Sequence, residues 1–417
     1  MLRKDGCWHK ANTTHHSFPQ AYAYGSAKWI ANKIFNLKLA FSIEYQHFVF
    51  KQSAVICFDI KISSRLLITD IVSINSYVSY MATEERLKKA VEQGIVSHKT
   101  ADAIKVYNYR LNQNNMPIIY NLRHLRKILN IKKREQDLYF GKKRNEYHIF
   151  YIPKKNGDKR KIEAPSARLK AFQLWIKENI LDKIGLSDYA MGFKKSRSIF
   201  DNAQMHTNKE LVINVDLKDF FPTITYDKVY RIFAYMGYTN EVAHLLTQLC
   251  TNNDNVLPQG SPASPAISNI VAMKLDKRLA GIAEKYNCSY TRYADDITFS
   301  GGAGIKNIMP IVRCIIEEEG FTVNEKKIRF QYSNQRQEVT GLIVNKKVSV
   351  SSAIIKEIDN AVYYCKKYGV ESHMKRIGCD KSFYKEHLYG IAYFIKMIDV
   401  HKGEYYLSKL DQIVWSY

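Results

Sequence analysis

Two adjacent aspartates, Asp295 and Asp296, lie between short aromatic and β-branched runs in the stretch SYTRYADDITFSGG, residues 289 to 302. The apolar alternation on both sides predicts two strands joined by a tight turn, with the aspartates at its tip. Two like charges at such a place repel one another unless something cationic joins them. The pattern indicates either a cation site or, more simply, a polar hairpin turn.

A third aspartate, Asp216, ends the nearly continuous apolar run LVINVD, which predicts a strand that is covered on both faces. If this strand lies beside the Asp295 hairpin in one sheet, the two carboxylates meet at the same edge. Hard oxygen ligands without nearby sulfur or imidazole select Mg²⁺ or Mn²⁺, and two such ions roughly 3.5 to 4 Å apart can hold an in-line phosphoryl displacement. A Gln-Gly loop and a basic hairpin elsewhere in the chain favour this chemistry over a plain turn.

The residues before Asp216 predict one hairpin and one buried helix. The segment EYHIFYIPKKNGDKRKIEAP alternates apolar and polar residues on both sides of Lys155, Asn156 and Gly157, and basic residues crowd its tip. The following segment, ARLKAFQLWIKENILDKI, has apolar residues near helical spacing. Those expected to be buried are Leu169, Phe172, Leu174, Ile176 and Ile180.

The residues after Asp216 predict helices around the Asp295 hairpin. A Pro/Gly/Ser loop, LPQGSPASP, runs into a helix with Ser264 as its cap and Pro265 as its first residue. An amphipathic helix near residues 308–318 and a short β-like stretch, EVTGLIVNKKVSVS, complete a strand, helix, hairpin, helix, strand order. This order predicts an α+β fold in which a sheet is layered on helices. An apolar stripe then predicts a separate small helical subdomain; its residues are Leu388, Ile391, Ile395 and Ile398.

Composition limits the classes of function. The 417 residues include 63 lysines and arginines against 40 acids, and this net charge of +23 favours a polyanionic partner over a merely solvated basic surface. The seven cysteines are widely spaced, with no C-x-x-C pair or Cys/His cluster, which argues against a zinc site or a disulfide framework. No apolar run approaches the roughly 18 residues of a membrane span. We therefore expect a globular, cytoplasmic protein.

The first 80 residues differ from the rest, because they show neither clear helical periodicity nor a motif. From Met81 onwards, the stretch MATEERLKKAVEQGI predicts a helix with Thr83 as its cap and Gly94 as its stop. Our hypothesis is that Met81 is the functional start and that residues 1–80 are an extension of doubtful order.

Four motifs resemble the successive palm motifs of reverse transcriptases, in order and in spacing. They are DLKDFF at 216–221, LPQGSPASP at 257–265, YADD at 293–296 and GFTVNEKK at 320–327. In addition, KKNGDKRKIEAP is similar to the fingers block of the family, and LYGIAYFIKMID is similar to the thumb helix of its bacterial members. The resemblance extends over roughly residues 110 to 400.

Two further marks resemble the retron type within this family. NAQMH, which contains Asn202 and His206, is similar to the Asn-Ala-x-x-His element that retron enzymes carry before the palm strand. Val339, Thr340 and Gly341 match their Val-Thr-Gly triplet. For the first element the resemblance implies contact with the bound RNA, whereas a hydrogen-bonded structural role is the alternative for such a histidine. The triplet implies a support for the primer end, or else a plain strand and turn.

The resemblance also implies roles for individual residues. Asp216 and Asp295 correspond to the two obligatory ligands of two Mg²⁺ ions, for which Mn²⁺ can substitute, and Asp296 assists them. Phe221 corresponds to the bulky ring that excludes a 2′-hydroxyl beneath the nucleotide sugar, with core packing as the alternative. Arg160 corresponds to the arginine that grips the incoming triphosphate, or is one more surface arginine. The other residues assigned to nucleotide binding are Asp219, Phe220, Gln259 and Lys327, the last with Lys326 as its alternative.

The resemblance implies a right-hand polymerase with fingers, a palm made of an antiparallel sheet on helices, and a helical thumb. The domains that it implies are 81–210 for the N-terminal helices and fingers, 211–345 for the palm and 346–417 for the thumb.

The implied function is that of an RNA-directed DNA polymerase of the retron type. Such enzymes use dNTPs, bind their own structured non-coding RNA, prime from an internal 2′-hydroxyl and leave RNA-linked single-stranded DNA, called msDNA. They act in antiphage defence with a separate effector protein, and no membrane partner is implied. Two alternatives stay open: a reverse transcriptase of another lineage, such as a group II intron-like one, without 2′-hydroxyl self-priming, and a non-catalytic RNA-binding protein on a polymerase scaffold.

Overall fold

The parts of the chain that the computed structural model describes are residues 84–141, 146–153, 157–379 and 382–415. All of them belong to one compact unit that covers residues 79–417. The hypothesis about Met81, the predicted cap Thr83 and the hairpin tip at 155–156 lie outside the described residues.

Helices lead into a two-stranded hairpin at the beginning of the described chain. The helices are α1 (84–92), α2 (His98–Gln113), α3 (Leu122–Ile128) and α4 (Gln136–Phe140). Gly94 has a φ of 70°, in the left-handed region that glycine adopts without strain, and α1 ends just before it as predicted. Strands β1 (Tyr147–Pro153) and β2 (Lys159–Pro165) pair antiparallel and confirm the predicted hairpin.

Helix α5 (Ala167–Asn179) follows the hairpin and covers one side of the core. Four of the five residues predicted to be buried there are buried, but Leu174 is 36% exposed, so its prediction was wrong. Phe172 and Ile176, two residues before and after it, lie on the buried face of the helix. A residue midway between them points away from that face, because successive helical residues are about 100° apart.

A four-stranded antiparallel sheet forms the centre of the described chain, in the order β4-β5-β3-β6. Its strands are β3 (Leu211–Asp216), β4 (Ser289–Tyr293), β5 (Asp296–Gly301) and β6 (Arg329–Tyr332). All six residues of β3 are buried, as the apolar run predicted. Together with the surrounding helices, the sheet confirms the α+β class.

The helices around the sheet are α6 (Ile199–Gln204), α7 (Tyr226–Tyr235), α8 (Asn240–Cys250), α9 (Ser264–Val271), α10 (Met273–Lys285) and α11 (Met309–Glu318). The predicted start of α9 was shifted by one residue. Ser264 is its first residue rather than its cap, since its hydroxyl donates to the carbonyl of Pro258 (2.7 Å), and Pro265 is the second. Proline is tolerated there because the first helical N–H groups have no partner within the helix.

The closing strand of the sheet was also misassigned from the sequence. Its place is taken by β6, of which three of four residues are exposed, so no apolar run identifies it. The β-like stretch that begins at Glu338 instead forms a separate small hairpin, β7 (Glu338–Val339) and β8 (Leu342–Ile343). The Gln331 side chain joins β6 to this hairpin, because its amide oxygen accepts a hydrogen bond from the Glu338 N–H (2.7 Å).

Four helices end the described chain and share a core of their own. They are α12 (Ser352–Tyr368), α13 (Val370–Arg376), α14 (Tyr384–Ile398) and α15 (Val400–Asp411). Leu388 and Ile395 of the predicted stripe are buried in that core. Ile398, at the end of the same stripe, packs with Phe394 against the β7-β8 hairpin and so connects α14 to it.

No helix in the described part of the chain is long and apolar enough to span a membrane.

The faces of β3 differ in what they contact, because side chains alternate along a strand. Leu211, Ile213 and Val215 face the main apolar core. Val212 belongs to a second cluster, with Ala203 of α6 and the β7-β8 hairpin. By the same alternation, Asp216 lies on the face of Val212, away from the main core.

We expect Ile213→Ala to lower the free energy of unfolding by about 2 to 5 kcal/mol, because the side chain is fully buried and leaves a cavity. Ile311→Ala is the matched control, since this isoleucine of α11 is exposed and should cost less than about 1 kcal/mol. Urea denaturation followed by circular dichroism measures both. Equal losses in the two variants would contradict the assignment of β3 to the centre of the core.

Candidate active site

Strand pairing brings the three predicted acids to one edge of the sheet. In the antiparallel register of β3 and β5, Asp216 lies opposite Asp296. The pairing continues one step further, because the Leu217 N–H donates to the Asp295 carbonyl (3.0 Å). The prediction that the two strands are neighbours and that their aspartates share an edge is therefore confirmed.

A strained turn holds Asp295 at this edge. Only Ala294 and Asp295 connect β4 to β5, and Ala294 has a φ of 58°. This left-handed conformation costs a residue with a Cβ roughly 1 to 2 kcal/mol, so contacts around the turn must maintain it. The turn presents Asp295 half-buried and Asp296 exposed above the end of β3.

Asp216 is almost buried and has its own cationic partner. The Lys327 ammonium donates to Asp216 Oδ1 (2.6 Å), and the Asn324 side-chain amide donates to Oδ2 (3.0 Å). The hydrogen bond with Asp216 raises the pKa of Lys327. Between the two adjacent lysines that the sequence left open, Lys327 is the one that reaches the acids.

The carboxylates of the turn are held where negative charge is unfavourable. Burial raises the pKa of Asp295, and the charge of Asp216 raises it further. Burial also raises the pKa of Asp296, to about 6, with the negative charges of Asp295 and Asp216 adding to the effect. Asp296 is exposed as a residue, yet burial of charge and the crowding of the three acids together make this edge a place for cations.

The donor set fits a hard divalent cation. The described residues contain no group of three or more His, Cys, Asp or Glu side chains arranged to enclose a metal ion. Mg²⁺ in phosphate-handling sites is usually held by one or two carboxylates and completed by substrate phosphates and water. Asp216 and Asp295 can supply those carboxylates, and their mutual repulsion is what a bound cation would relieve.

The basic hairpin packs against the Gln-Gly loop and reaches the same edge. The Glu163 N–H of β2 donates to the Gln259 carbonyl (2.9 Å). Gly260 has a φ of 145°, and a Cβ there would lie 2.5 Å from the Glu163 carbonyl oxygen, so only glycine permits this approach. Arg160, exposed on β2, lowers the pKa of Asp295 through its positive charge.

The three residues at 219–221 have different surroundings. Phe220 is 3% exposed and its ring lies 5.6 Å from that of Phe321, so its side chain packs in the core and its assignment to nucleotide binding stays a prediction. Phe221 is half-buried, with its ring 5.6 Å from the ring of Phe220 and 6.3 Å from that of Phe193. Asp219 is exposed, with a φ of 48°.

The predicted RNA contacts at Asn202 and His206 are not compatible with their burial. Both side chains are 0% exposed. His206 bridges the two strands of the hairpin, with Nδ1 2.7 Å from Ser300 Oγ and Nε2 2.8 Å from Thr291 Oγ1. This is the structural role that the sequence left as the alternative.

The Val-Thr-Gly triplet lies against the same element. Val339 is fully buried with Ala203, which fits the strand and turn that the sequence left as the alternative, while a support for the primer end stays a prediction. Thr340 and Gly341 form the turn between β7 and β8, and the Asn202 amide donates to Thr340 Oγ1 (3.4 Å). The two retron-like marks are therefore in contact, with Asn202, His206 and Val339 buried and Gln204, Met205 and the turn residues reaching solvent.

Sequence reasoning missed two residues at this edge, Asn324 and Arg292. Asn324 lies within the GFTVNEKK motif, three residues before Lys327, so its place in that motif was the signal that could have found it. Arg292 carries a signal too: it lies in β4 among aromatic and β-branched residues, where an unpaired charge would be as costly as those of Asp295 and Asp296.

Comparison with known proteins gives a consistent picture. A family profile described as reverse transcriptase (RNA-dependent DNA polymerase) matches residues 152–346. The chain is 34% identical over 312 residues to the Retron Ec86 reverse transcriptase of Escherichia coli, and the alignment covers 73% of this chain and 93% of that protein. It is also 34% identical over 278 residues to the Retron Mx65 reverse transcriptase of Myxococcus xanthus, covering 62% of each.

Solved structures with a similar course of the chain are distant. A telomerase from Candida tropicalis in complex with a telomeric RNA fragment has 12% identity and a TM-score of 0.33, covering 63% of this chain and 60% of its own. A foamy viral protease-reverse transcriptase in complex with double-stranded DNA has 15% identity and a TM-score of 0.36, covering 64% of this chain and 44% of its own. Likenesses this weak carry no argument about this chain.

We expect acid to destabilise the protein through His206. Burial lowers the pKa of this histidine to about 3, whereas the unfolded chain binds the proton with a pKa of about 6.5. Protons therefore favour the unfolded state, and stability declines as the pH falls below about 6.5. Between about pH 6.5 and pH 5 the loss from this group is about 2 kcal/mol.

His206→Gln should remove this part of the pH dependence, measured by urea denaturation across that range. The exposed His401→Gln is the control and should keep the wild-type slope. A His206→Gln variant with an unchanged slope would show that the histidine is accessible to protons in the folded state.

Proposed function

Because this chain belongs to the reverse transcriptases, as an RNA-directed DNA polymerase of the retron type, we propose that it copies part of a structured non-coding RNA into single-stranded DNA that stays joined to that RNA. The observation that carries the proposal is the β3-β5 register, in which Asp216 and the Asp295-Asp296 pair share one sheet edge. Bound Mg²⁺ ions would stabilise the charge that develops on the transferring phosphoryl group, and would lower the pKa of the attacking hydroxyl. Mn²⁺, with the same preference for oxygen ligands, would substitute.

The residues around the acids fit the separate tasks of this reaction. Asp216 and Asp295 would hold the cations, with Asp296 beside them. Lys327, at 2.6 Å from Asp216, is close enough to interact with the leaving pyrophosphate once a cation has taken its place beside the carboxylate. Arg160 can grip the triphosphate with its planar fork of donors, as its electrostatic effect on Asp295 supports.

Two further positions would select and orient the nucleotide. The half-buried Phe221 ring would occupy the space of a 2′-hydroxyl and so favour deoxynucleotides. Gln259, whose backbone bonds to the arginine-bearing strand β2, would lie beside the nascent base pair. Asp219, exposed two residues before Phe221, belongs to the same surface.

Charge and aromatic residues on the C-terminal helices support binding of the RNA. Tyr363, Lys367, Tyr405 and Lys409 line a groove between α12 and α15. The ammonium groups of the two lysines lie 5.4 and 5.3 Å from the ring centres of Tyr363 and Tyr405. Cations neutralise phosphates and exposed rings stack on unpaired bases, and single-stranded regions of a structured RNA present both.

Priming from an internal 2′-hydroxyl, the branched msDNA product and antiphage action with an effector protein follow from the retron type alone. They are part of the proposal, and Thr340 and Gly341, at the turn beside Asn202, would support the primer end.

Asp295→Asn should lower DNA synthesis roughly 10³-fold or more, because it removes an anionic ligand worth several kcal/mol of charge stabilisation. RNA binding should stay close to that of the wild type, since it depends on the basic surface. Asp188→Asn is the matched control, because this aspartate is largely exposed and its partner is Lys194 rather than a residue of the acid cluster. The chain is expressed with its flanking DNA, and extracted nucleic acid is tested for a short RNase-resistant DNA whose 5′ end is joined to RNA.

The outcomes separate the parts of the proposal. A branched product that is present in wild type and Asp188→Asn and absent in Asp295→Asn is the expected result. DNA synthesis on a supplied primer and template without any branch would refute self-priming and leave the polymerase. Equal loss of synthesis and of RNA binding in Asp295→Asn would refute the role of Asp295 as a metal ligand.

Phe221→Val should admit ribonucleotides, since the space of the ring becomes available to a 2′-hydroxyl. We expect the preference for dNTPs, as the ratio of kcat/KM values, to fall roughly 10- to 100-fold. Phe383→Val, an exposed phenylalanine before α14, is the control. An unchanged sugar preference in Phe221→Val would mean that this ring serves only core packing.

A further inference from the structure

A fully buried ion pair lies beneath the turn that carries Asp295. Arg292 in β4 and Asp276 in α10 are both 0% exposed. The guanidinium donates to both carboxylate oxygens, from Nε to Oδ1 (2.7 Å) and from Nη2 to Oδ2 (2.8 Å). The hydroxyl of Tyr290 donates to the same Oδ1 (2.8 Å). None of these side chains takes part in the proposed chemistry.

Such a pair contributes little to net stability, because the cost of removing two charges from water offsets most of their attraction. Its remaining hydrogen bonds indicate a more specific task. Nη1 of Arg292 donates to the Ala294 carbonyl (3.0 Å) and to Asn269 Oδ1 (3.1 Å). The guanidinium thus holds the residue with the strained backbone that immediately precedes Asp295.

The same group of side chains fixes a second segment against the turn. The Asn269 amide donates to the Gly192 carbonyl (2.8 Å). Gly192 lies so close to the turn that a Cβ there would be 2.6 Å from the Ala294 nitrogen. The backbone of Arg292 bonds on both sides to this segment, through the carbonyl of Tyr189 and the N–H of Met191 (2.8 Å each). The turn is therefore fixed by two kinds of contact: the Arg292 side chain bonds to the Ala294 carbonyl, and the backbone at Gly192 packs against the Ala294 nitrogen.

We propose that Arg292, anchored by Asp276 and Asn269, is a positioning residue that sets the place of Asp295 relative to Asp216 and thereby the affinity of this edge for divalent cations. The inference rests on the proposed function, because the position of the Asp295 carboxylate matters for affinity only if that carboxylate binds a cation. A supporting side chain that orients a metal ligand typically changes metal affinity 10- to 100-fold when it is removed. Asp276 acts on the turn through Arg292, since the hydrogen bonds that its oxygens accept come from Arg292 and Tyr290.

The test is direct Mn²⁺ binding to the purified full chain, measured by electron paramagnetic resonance without any nucleotide. Arg292→Lys keeps the charge but lacks the planar fork, so it cannot hold Asp276 and the Ala294 carbonyl together. We expect its dissociation constant for Mn²⁺ to rise about 10-fold or more. The Mg²⁺ concentration for half-maximal DNA synthesis should rise in the same proportion.

Two more variants keep the test decisive if Arg292→Lys folds poorly. Asn269→Ala leaves the ion pair intact and removes only the side chain that links Arg292 to Gly192, and it should also weaken Mn²⁺ binding. Leu279→Ala is the matched control: this leucine is fully buried in α10, one turn after Asp276, and does not contact the turn through a polar group. It should lower the melting temperature and leave the affinity for Mn²⁺ unchanged.

The proposal is overturned if folded Arg292→Lys and Asn269→Ala bind Mn²⁺ as tightly as the wild type. It is also overturned if Leu279→Ala weakens binding as much at an equal loss of melting temperature, since the effect would then be general destabilisation. A wild type that binds no more Mn²⁺ than Asp295→Asn overturns it as well. A wild type that binds Mn²⁺ but makes no DNA on a primed RNA template refutes the proposed function, while the comparison of Mn²⁺ affinities still decides the role of Arg292.

Discussion

The antiparallel pairing of β3 with β5 is the constraint on which the rest of the site depends. It sets Asp216 opposite Asp296 and joins acids that lie about 80 residues apart in the sequence. A slip of one residue would turn Asp216 towards the main apolar core, because side chains alternate across a strand. Asn214 opposes that slip, since it lies on the same face as Asp216 and bonds to Thr298 and Gln331.

This register concentrates negative charge at one edge of the sheet, in a protein whose net charge is positive. Burial and mutual repulsion raise the pKa values of Asp295 and Asp296, while the positive charges of Lys327 and Arg160 lower that of Asp295. The positive charges of Lys327 and Arg160 therefore neutralise the acids only in part. The chain carries a net charge of +23, which favours a polyanionic partner, whereas this edge of the sheet is crowded with acids. A divalent cation can bind carboxylates and a phosphate at the same time. An acidic cluster in a basic protein is therefore compatible with a polyanionic substrate.

The two retron-like marks show how a motif can be structural in its own right. Asn202, His206 and Val339 are buried, and the unit that they form lies between the central sheet and Ile398 of α14. Their role is to support the hairpin strands and to join the C-terminal helices to the β7-β8 hairpin. A histidine with two hydroxyl partners and no solvent contact is suited to that task, because its neutral form satisfies both hydrogen bonds without a buried charge.

The sequence by itself determined the buried strand β3, the hairpins β1-β2 and β4-β5, helices such as α5, α9 and α11, and the chemical character of the acids, because apolar periodicity, turn residues and side-chain type are local properties. It could not identify β6, whose exposed residues show no apolar pattern, nor the exposure of Leu174 or the burial of His206. Only the tertiary structure decided the register of the acids, the choice of Lys327 as their partner and the pairing of Arg292 with Asp276. Each of these depends on contacts between segments far apart in the chain, and a contact of that kind leaves no periodicity in either segment.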